Sequence, residues 1–245
     1  MAQGQNRENF WVSLGVNIVL PTLILMKAQK WLAAAGLLEK DAAKPIYFFL
    51  AALALPLAYG IWDLAKKRKF SLFAALGILN VLLTGTIGLF ELSREWIIAK
   101  EAGIPALLGL AVLISAYTPR PLAGVLVYND AILDTQKVGA ALEERGNSKK
   151  FSAVLKTATI LVSASFFASA AIQFFLARAI YTEGASPEEF NAQVGRMTWI
   201  SFFAVMLPCM LITCAAFVKI ANAIKNLAGL DFEEALAPDL REAKK

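Results

Sequence analysis

Apolar residues along this chain neither alternate like a half-buried strand nor follow the spacing of a helix with one buried face. They come in blocks. From Ile46 to Leu64 no charge appears until Asp63, and from Phe70 to Phe90 none appears at all. Between those blocks lies Lys66-Lys67-Arg68-Lys69. A soluble helix keeps a polar face. A segment apolar all round and about 20 residues long matches a bilayer core roughly 30 Å thick. Six such segments emerge, at residues 10–27, 46–64, 70–90, 103–118, 156–180 and 198–222. The pattern predicts an all-α fold, a polytopic transmembrane helical bundle of about six spans, forming a single transmembrane domain over residues 1–245.

Charge sets the expected orientation. With the Lys66–Lys69 knot placed in the cytoplasm, sixteen Lys and Arg residues fall on that side and eight on the other. This bias puts both termini inside. Trp11, Tyr59, Trp62 and Tyr117 then fall near inner ends, and Tyr47, Trp96, Tyr181 and Trp199 near outer ends, where amphipathic rings favour the interface. The first span contains Asn17 and Pro21 and is longer than the apolar core of a signal peptide, so it is expected to be retained.

The longest cytoplasmic connection, residues 122–150, mixes apolar Leu122, Val125, Leu133, Val138 and Leu142 with Asn129, Asp130, Asp134 and Lys137. It reads either as an amphipathic helix on the inner leaflet or as a helical linker packed on the bundle. Residues 144–150 read as a turn. The charged tail after Leu230 is expected to fray.

Composition changes the picture in two ways. Apolar residues make up 58% of the chain and charged residues 18%, against about 45–50% and 25% in ordinary domains. That excess is confined to the blocks, so no segment is left for a soluble domain. The net charge of +5 sits at span ends, which suits anionic lipid headgroups and not nucleic acid. There is no His, which removes His-based triads and His metal sites. Cys209 and Cys214 lie five residues apart on one helix, about 140° around its axis, too badly oriented for a disulfide. No catalytic residue, cofactor site or metal site is expected.

Polar positions inside the spans form stripes. Gly77, Asn80, Thr84 and Gly88 share one face of the third span, and Ser165, Ser169 and Gln173 one face of the fifth. Small and hydrogen-bonding residues are what close helix packing in a membrane uses. The alternative is a polar cavity lined by Asn17, Asn80, Thr84 and Gln173. Ionisable groups avoid the span centres. Asp63 lies four residues before Lys67 and is expected to pair with it. Glu91 closes the third span. Lys100 and Glu101 open the fourth, where Glu101 suits the positive helix end.

Several motifs then line up in order: Tyr59-Gly60-Ile61-Trp62-Asp63 before the basic knot, Val81-Leu82-Leu83-Thr84-Gly85, Phe90-Glu91-Leu92, Trp96-Ile97-Ile98-Ala99-Lys100-Glu101 and Arg120-Pro121-Leu122. In this order, and with Asn17-Ile18-Val19-Leu20-Pro21 in the first span, the chain resembles the bacterial intracellular septation protein A-like family, as a larger relative. It departs from the smaller members in its longer linker and first outer loop, and it lacks their Trp residues ahead of the fifth span. The resemblance implies a bacterial inner-membrane protein of cell-envelope or membrane homeostasis. It transfers no catalytic residue.

The expectation is therefore a non-enzymatic multi-pass inner-membrane protein. Its partners would be membrane lipids, other membrane proteins or further copies of itself. The alternative is a small-solute or lipid transporter with a polar cavity between the third and fifth spans.

Overall fold

The computed structural model describes residues 15–36, 44–67, 72–119, 121–128, 130, 132–238 and 240. Helix dominates, and among the described residues no strand forms beyond one isolated bridge between Leu133 and Leu236. α1 covers residues 15–34 and contains two wide, π-helical turns, Gly15–Val19 and Ile24–Ala28. They flank Pro21, which has no N–H to donate and crowds the turn before it. The helices that follow are α2 (Pro45–Lys67), α3 (Leu72–Leu89), α4 (Arg94–Ser115), α5 (Leu122–Val127), α6 (Thr135–Glu144), α7 (Ser148–Ile180), α8 (Pro187–Ala223) and α9 (Phe232–Ala235).

Four of these, α2, α4, α7 and α8, are long and apolar enough to cross a membrane. Large apolar side chains stay bare along them, among them Leu107, Ile114, Phe175, Leu207 and Leu211. Continuous bare apolar surface on a monomer is the mark of a membrane or partner contact. α3 supplies a shorter apolar stretch, Ile78–Leu89.

Three helices begin earlier than the hydropathy blocks. The fourth segment was expected from 103, but α4 starts at Arg94. Lys100 and Glu101 pair with each other, so their charges do not stop the helix. Both lie almost two turns inside it, and the helix-end reading of Glu101 gives way to an ion pair. α7 starts at Ser148 because Phe151 is buried in the first turn while Lys149 and Lys150 stay exposed. α8 starts at Pro187, where a proline fits the first turn. Ser186 Oγ accepts from Glu189 N–H at 3.3 Å, and the Glu189 carboxylate accepts from Ser186 N–H at 2.9 Å. This reciprocal capping box fixes the helix start.

Residues divide between two compact units. The first takes the chain through Glu101 together with 173–203, the end of α7 and the start of α8. Its core gathers Phe49, Ile87, Ile97, Ile98, Ala177, Tyr181, Val194 and Met197. Phe49 and Phe190 meet edge to face at 5.8 Å between ring centres. Gly88 makes room for that contact, since a Cβ there would fall 2.5 Å from Phe49 and 2.8 Å from Phe190. Gly195 does the same for α1, because a Cβ would fall 2.7 Å from Met26.

The second unit takes residues 102–172 and 204–245. Its core joins α6, α7, the end of α8 and the C-terminal segment through Leu133, Val138, Leu142, Phe151, Ala158, Ile220, Ile224 and Ala235. The linker is therefore a packed helical piece of this unit. The tail does not fray where it is described. Asp134 N–H donates to Ala235 O at 2.9 Å and Ala237 N–H to Ile132 O at 3.0 Å. Ala235 is fully buried in the core of this unit. Asp134 caps α6 by accepting from Lys137 N–H at 3.0 Å. Gly229, in the left-handed region at φ 68°, ends the wide turn Ile224–Ala228 that closes α8.

Candidate functional site

Chain direction brings five helix ends to one end of the first unit: the starts of α2, α4 and α8 and the finishes of α3 and α7. Between them lies a cleft of about 650 Å³. Ligand sites span roughly 300–1,000 Å³, so the cleft is large enough to hold one. Its floor is apolar, with Phe49, Ile87, Ile97 and Phe190, and its described lining carries four charged residues, Lys44, Glu91, Arg94 and Glu183.

Two polar groups in this lining are buried without a partner: the Tyr181 hydroxyl and Arg94 Nε. Tyr181 follows the last residue of α7, is 2% exposed and packs beside Phe190 at 6.2 Å between rings. Burial first, and the charge of Glu101 second, push its phenol well above the usual range, so the hydroxyl keeps its proton and remains a donor. Arg94 donates from one guanidinium nitrogen to Arg178 O at 2.6 Å. That bond fixes the guanidinium and leaves Nε unused. Buried polar groups are nearly always hydrogen-bonded. Arg94 and Tyr181 both line the cleft, and each carries a buried donor with no partner within the protein.

Glu91 adds a third irregularity. It sits at φ 48° in the turn that ends α3, a region L side chains other than Asn and Asp seldom adopt. Leu92 N–H reaches back to Ile87 O at 3.0 Å, a helix C-terminal closure that usually takes Gly.

Beneath the cleft α3 and α4 are joined by a buried polar link. Lys100 Nζ donates to Thr84 Oγ1 at 2.8 Å, and Thr84 in turn donates to Asn80 O at 2.9 Å. Lys100 also pairs with Glu101 at 2.8 Å, with both side chains largely shielded. The sequence candidates divide accordingly. Thr84, Lys100 and Glu101 come together. Asn80 contributes its carbonyl and turns its side chain outward. Glu91 lies on the cleft. Gln173 is half-buried on α7. The side chains of Asn17 and Asp63 lie outside the described residues, as does any Asp63–Lys67 pair.

Sequence reasoning missed Tyr181 and Arg94 as site residues. Tyr181 reads as an interfacial ring and Arg94 as one outer-loop charge. Their burial depends on the α7–α8 turn folding over the start of α4, which no local pattern announces. Comparison with protein-family models, with curated proteins and with solved structures finds no match.

Proposed function

We propose that this chain is a non-enzymatic, multi-pass protein of the bacterial inner membrane that acts in cell-envelope or membrane homeostasis by holding an amphiphile in the cleft of its first unit. The observation that carries the reading is the pair of buried, unpartnered donors in a cleft with an apolar floor and a charged lining at the helix ends. That position is where a bilayer changes from hydrocarbon to headgroup. α1 and α3 would complete six spans, with both termini cytoplasmic and the cleft facing the outer leaflet. A cysteine at Asn147 should then react only after permeabilisation, and one at Ser186 from outside. Photoactivatable phospholipid in membranes carrying the full chain should form adducts on 87–97 and 181–193. Adducts confined to the bare outer faces of α4 and α8 would defeat the reading.

Transport of a small solute is the second reading. It is favoured by Lys100, a cation buried inside α4 and held by Thr84 and Glu101. Ionisable groups at such depth commonly mark solute or proton pathways.

A further inference from the structure

The charges around the cleft point to the kind of amphiphile. This step rests on the proposed lipid-holding role and deepens it. The described lining carries two cations, Lys44 and Arg94, and two carboxylates, Glu91 and Glu183. A purely anionic head would meet both acids, and a purely cationic head would meet both cations. A head carrying both signs meets complementary charge at each end. The donors decide which end goes where. Arg94 Nε and the Tyr181 hydroxyl are buried and unpaired, so they call for an acceptor-rich group such as a phosphate, to which Arg is well suited. Glu91 and Glu183 are exposed and accept hydrogen bonds, which a primary ammonium supplies and a quaternary one does not. Within the lining, the Phe49 and Tyr181 faces that could cage a quaternary ammonium are already covered. Phe49 and Tyr181 are each 2% exposed and pack on Phe190.

From these observations we infer that the cleft binds a phosphoethanolamine headgroup carried by a phospholipid. The phosphate sits on Arg94 and Tyr181, and the ammonium sits between Glu91 and Glu183. The acyl chains leave along the apolar surface at the mouth, where Tyr47, Phe90 and Trp96 stay exposed beside the lining. The strained backbone at Glu91 fits this role. Gly would suit that turn better, but it has no carboxylate.

The test uses the full chain in mild detergent. It is offered equal amounts of phosphatidylethanolamine, phosphatidylglycerol and phosphatidylcholine, and retained lipid is read by native mass spectrometry. Phosphatidylethanolamine should be retained about fivefold over each of the others, the worth of roughly one hydrogen bond. Tyr181→Phe should lower its retention by about the same factor with no loss of thermal stability. Glu91→Gln should shift the preference toward phosphatidylglycerol, since it removes the acid that repels an anion. Soluble glycerophosphoethanolamine should compete only weakly. Competition as strong as that of the lipid would mean the ligand is a free headgroup and would overturn the lipid assignment. Equal retention of the three lipids, or unchanged selectivity in both variants, would overturn the headgroup inference and leave the lipid-holding role standing. No retained lipid of any kind would overturn both.

Discussion

The two units differ in how completely their buried polar groups are paired. In the second, hydroxyls and caps are spent on the backbone. Ser163 donates to Gly109 O at 2.8 Å, Thr159 to Leu155 O at 2.8 Å, and Asn147 Nδ2 to Leu227 O at 3.0 Å. Its linker and tail are tied by the Leu133–Leu236 bridge. In the first, four buried polar atoms have no partner: Thr22 Oγ1, Arg94 Nε, Tyr181 OH and Ser201 Oγ. All four such atoms found among the described residues belong to this unit. The first unit also holds the shielded ion pair and the strained Glu91. Unsatisfied donors and strain reduce stability and persist where something other than stability is served. On the proposed reading, the second unit holds the fold and the first meets the ligand.

The largest expected effect tests whether the first unit's charges form one interdependent cluster. Lys100→Met removes the partner of Glu101 inside α4 and should cost about 3–5 kcal/mol, the usual toll for stranding a buried charge. Lys100→Met with Glu101→Leu should recover most of that loss, because an apolar pair replaces the ions without leaving either one alone. Reversible unfolding in mixed micelles reads both. A double variant no more stable than the single would show that Lys100 is held by something other than Glu101. Thr84→Val should be far milder, since interhelical hydrogen bonds in membranes average about 0.6 kcal/mol.

Next in size is Gly88→Ala. The added methyl must displace Phe49, buried in the core, and Phe190, and overpacking of this kind costs about 1–3 kcal/mol. It should also narrow the cleft and lower lipid retention. Gly103→Ala meets nothing within 4 Å and should stabilise its helix by a few tenths of a kcal/mol to about 1 kcal/mol. Equal losses at the two glycines would deny that Gly88 is a packing position.

How far these features could be read from the sequence depends on the range of the forces behind them. Helix and membrane character come from composition within one segment and are legible: α2, α7 and α8 overlap their expected blocks. Hydropathy places the start of α8 later than Pro187, because what sets it is the capping pattern Ser186-Pro187-Glu188-Glu189 and not an apolar block. Thr84 and Gly88 were marked by spacing, and their neighbours Lys100 and Phe49 emerged only when separate helices met. The start of α4 was missed because Lys100 and Glu101 cancel one another, which a residue-by-residue scale counts as two penalties. The docked tail was missed for a related reason: Ala235 and Leu236 are two apolar residues among acids, and their value lies in a partner a hundred residues away.

A smaller effect probes the second unit. Asn147→Ala removes the side-chain bond to Leu227 O at the end of α8 and should cost about 1 kcal/mol. Amide exchange should rise around residues 224–236 and stay unchanged around 87–97. Exchange rising equally in both stretches would mean that the units do not hold their structure separately.

The smallest effect is the sharpest, because its sign separates the units. Ser163→Ala removes a hydroxyl that has a partner, Gly109 O, in the second unit and should destabilise by roughly 0.5–1 kcal/mol. Tyr181→Phe removes a hydroxyl that has none in the first. Its desolvation has already been paid without return, so in lipid-free detergent the variant should be as stable as the parent or more stable by up to about 1 kcal/mol. Adding phosphatidylethanolamine should reverse the order. The parent then gains stability by mass action on the folded state, and Tyr181→Phe gains less. The lipid dependence of Ser163→Ala should match the parent. If Tyr181→Phe is the more damaging change without lipid, the hydroxyl already has a partner within the protein, and the two units do not differ in the way proposed.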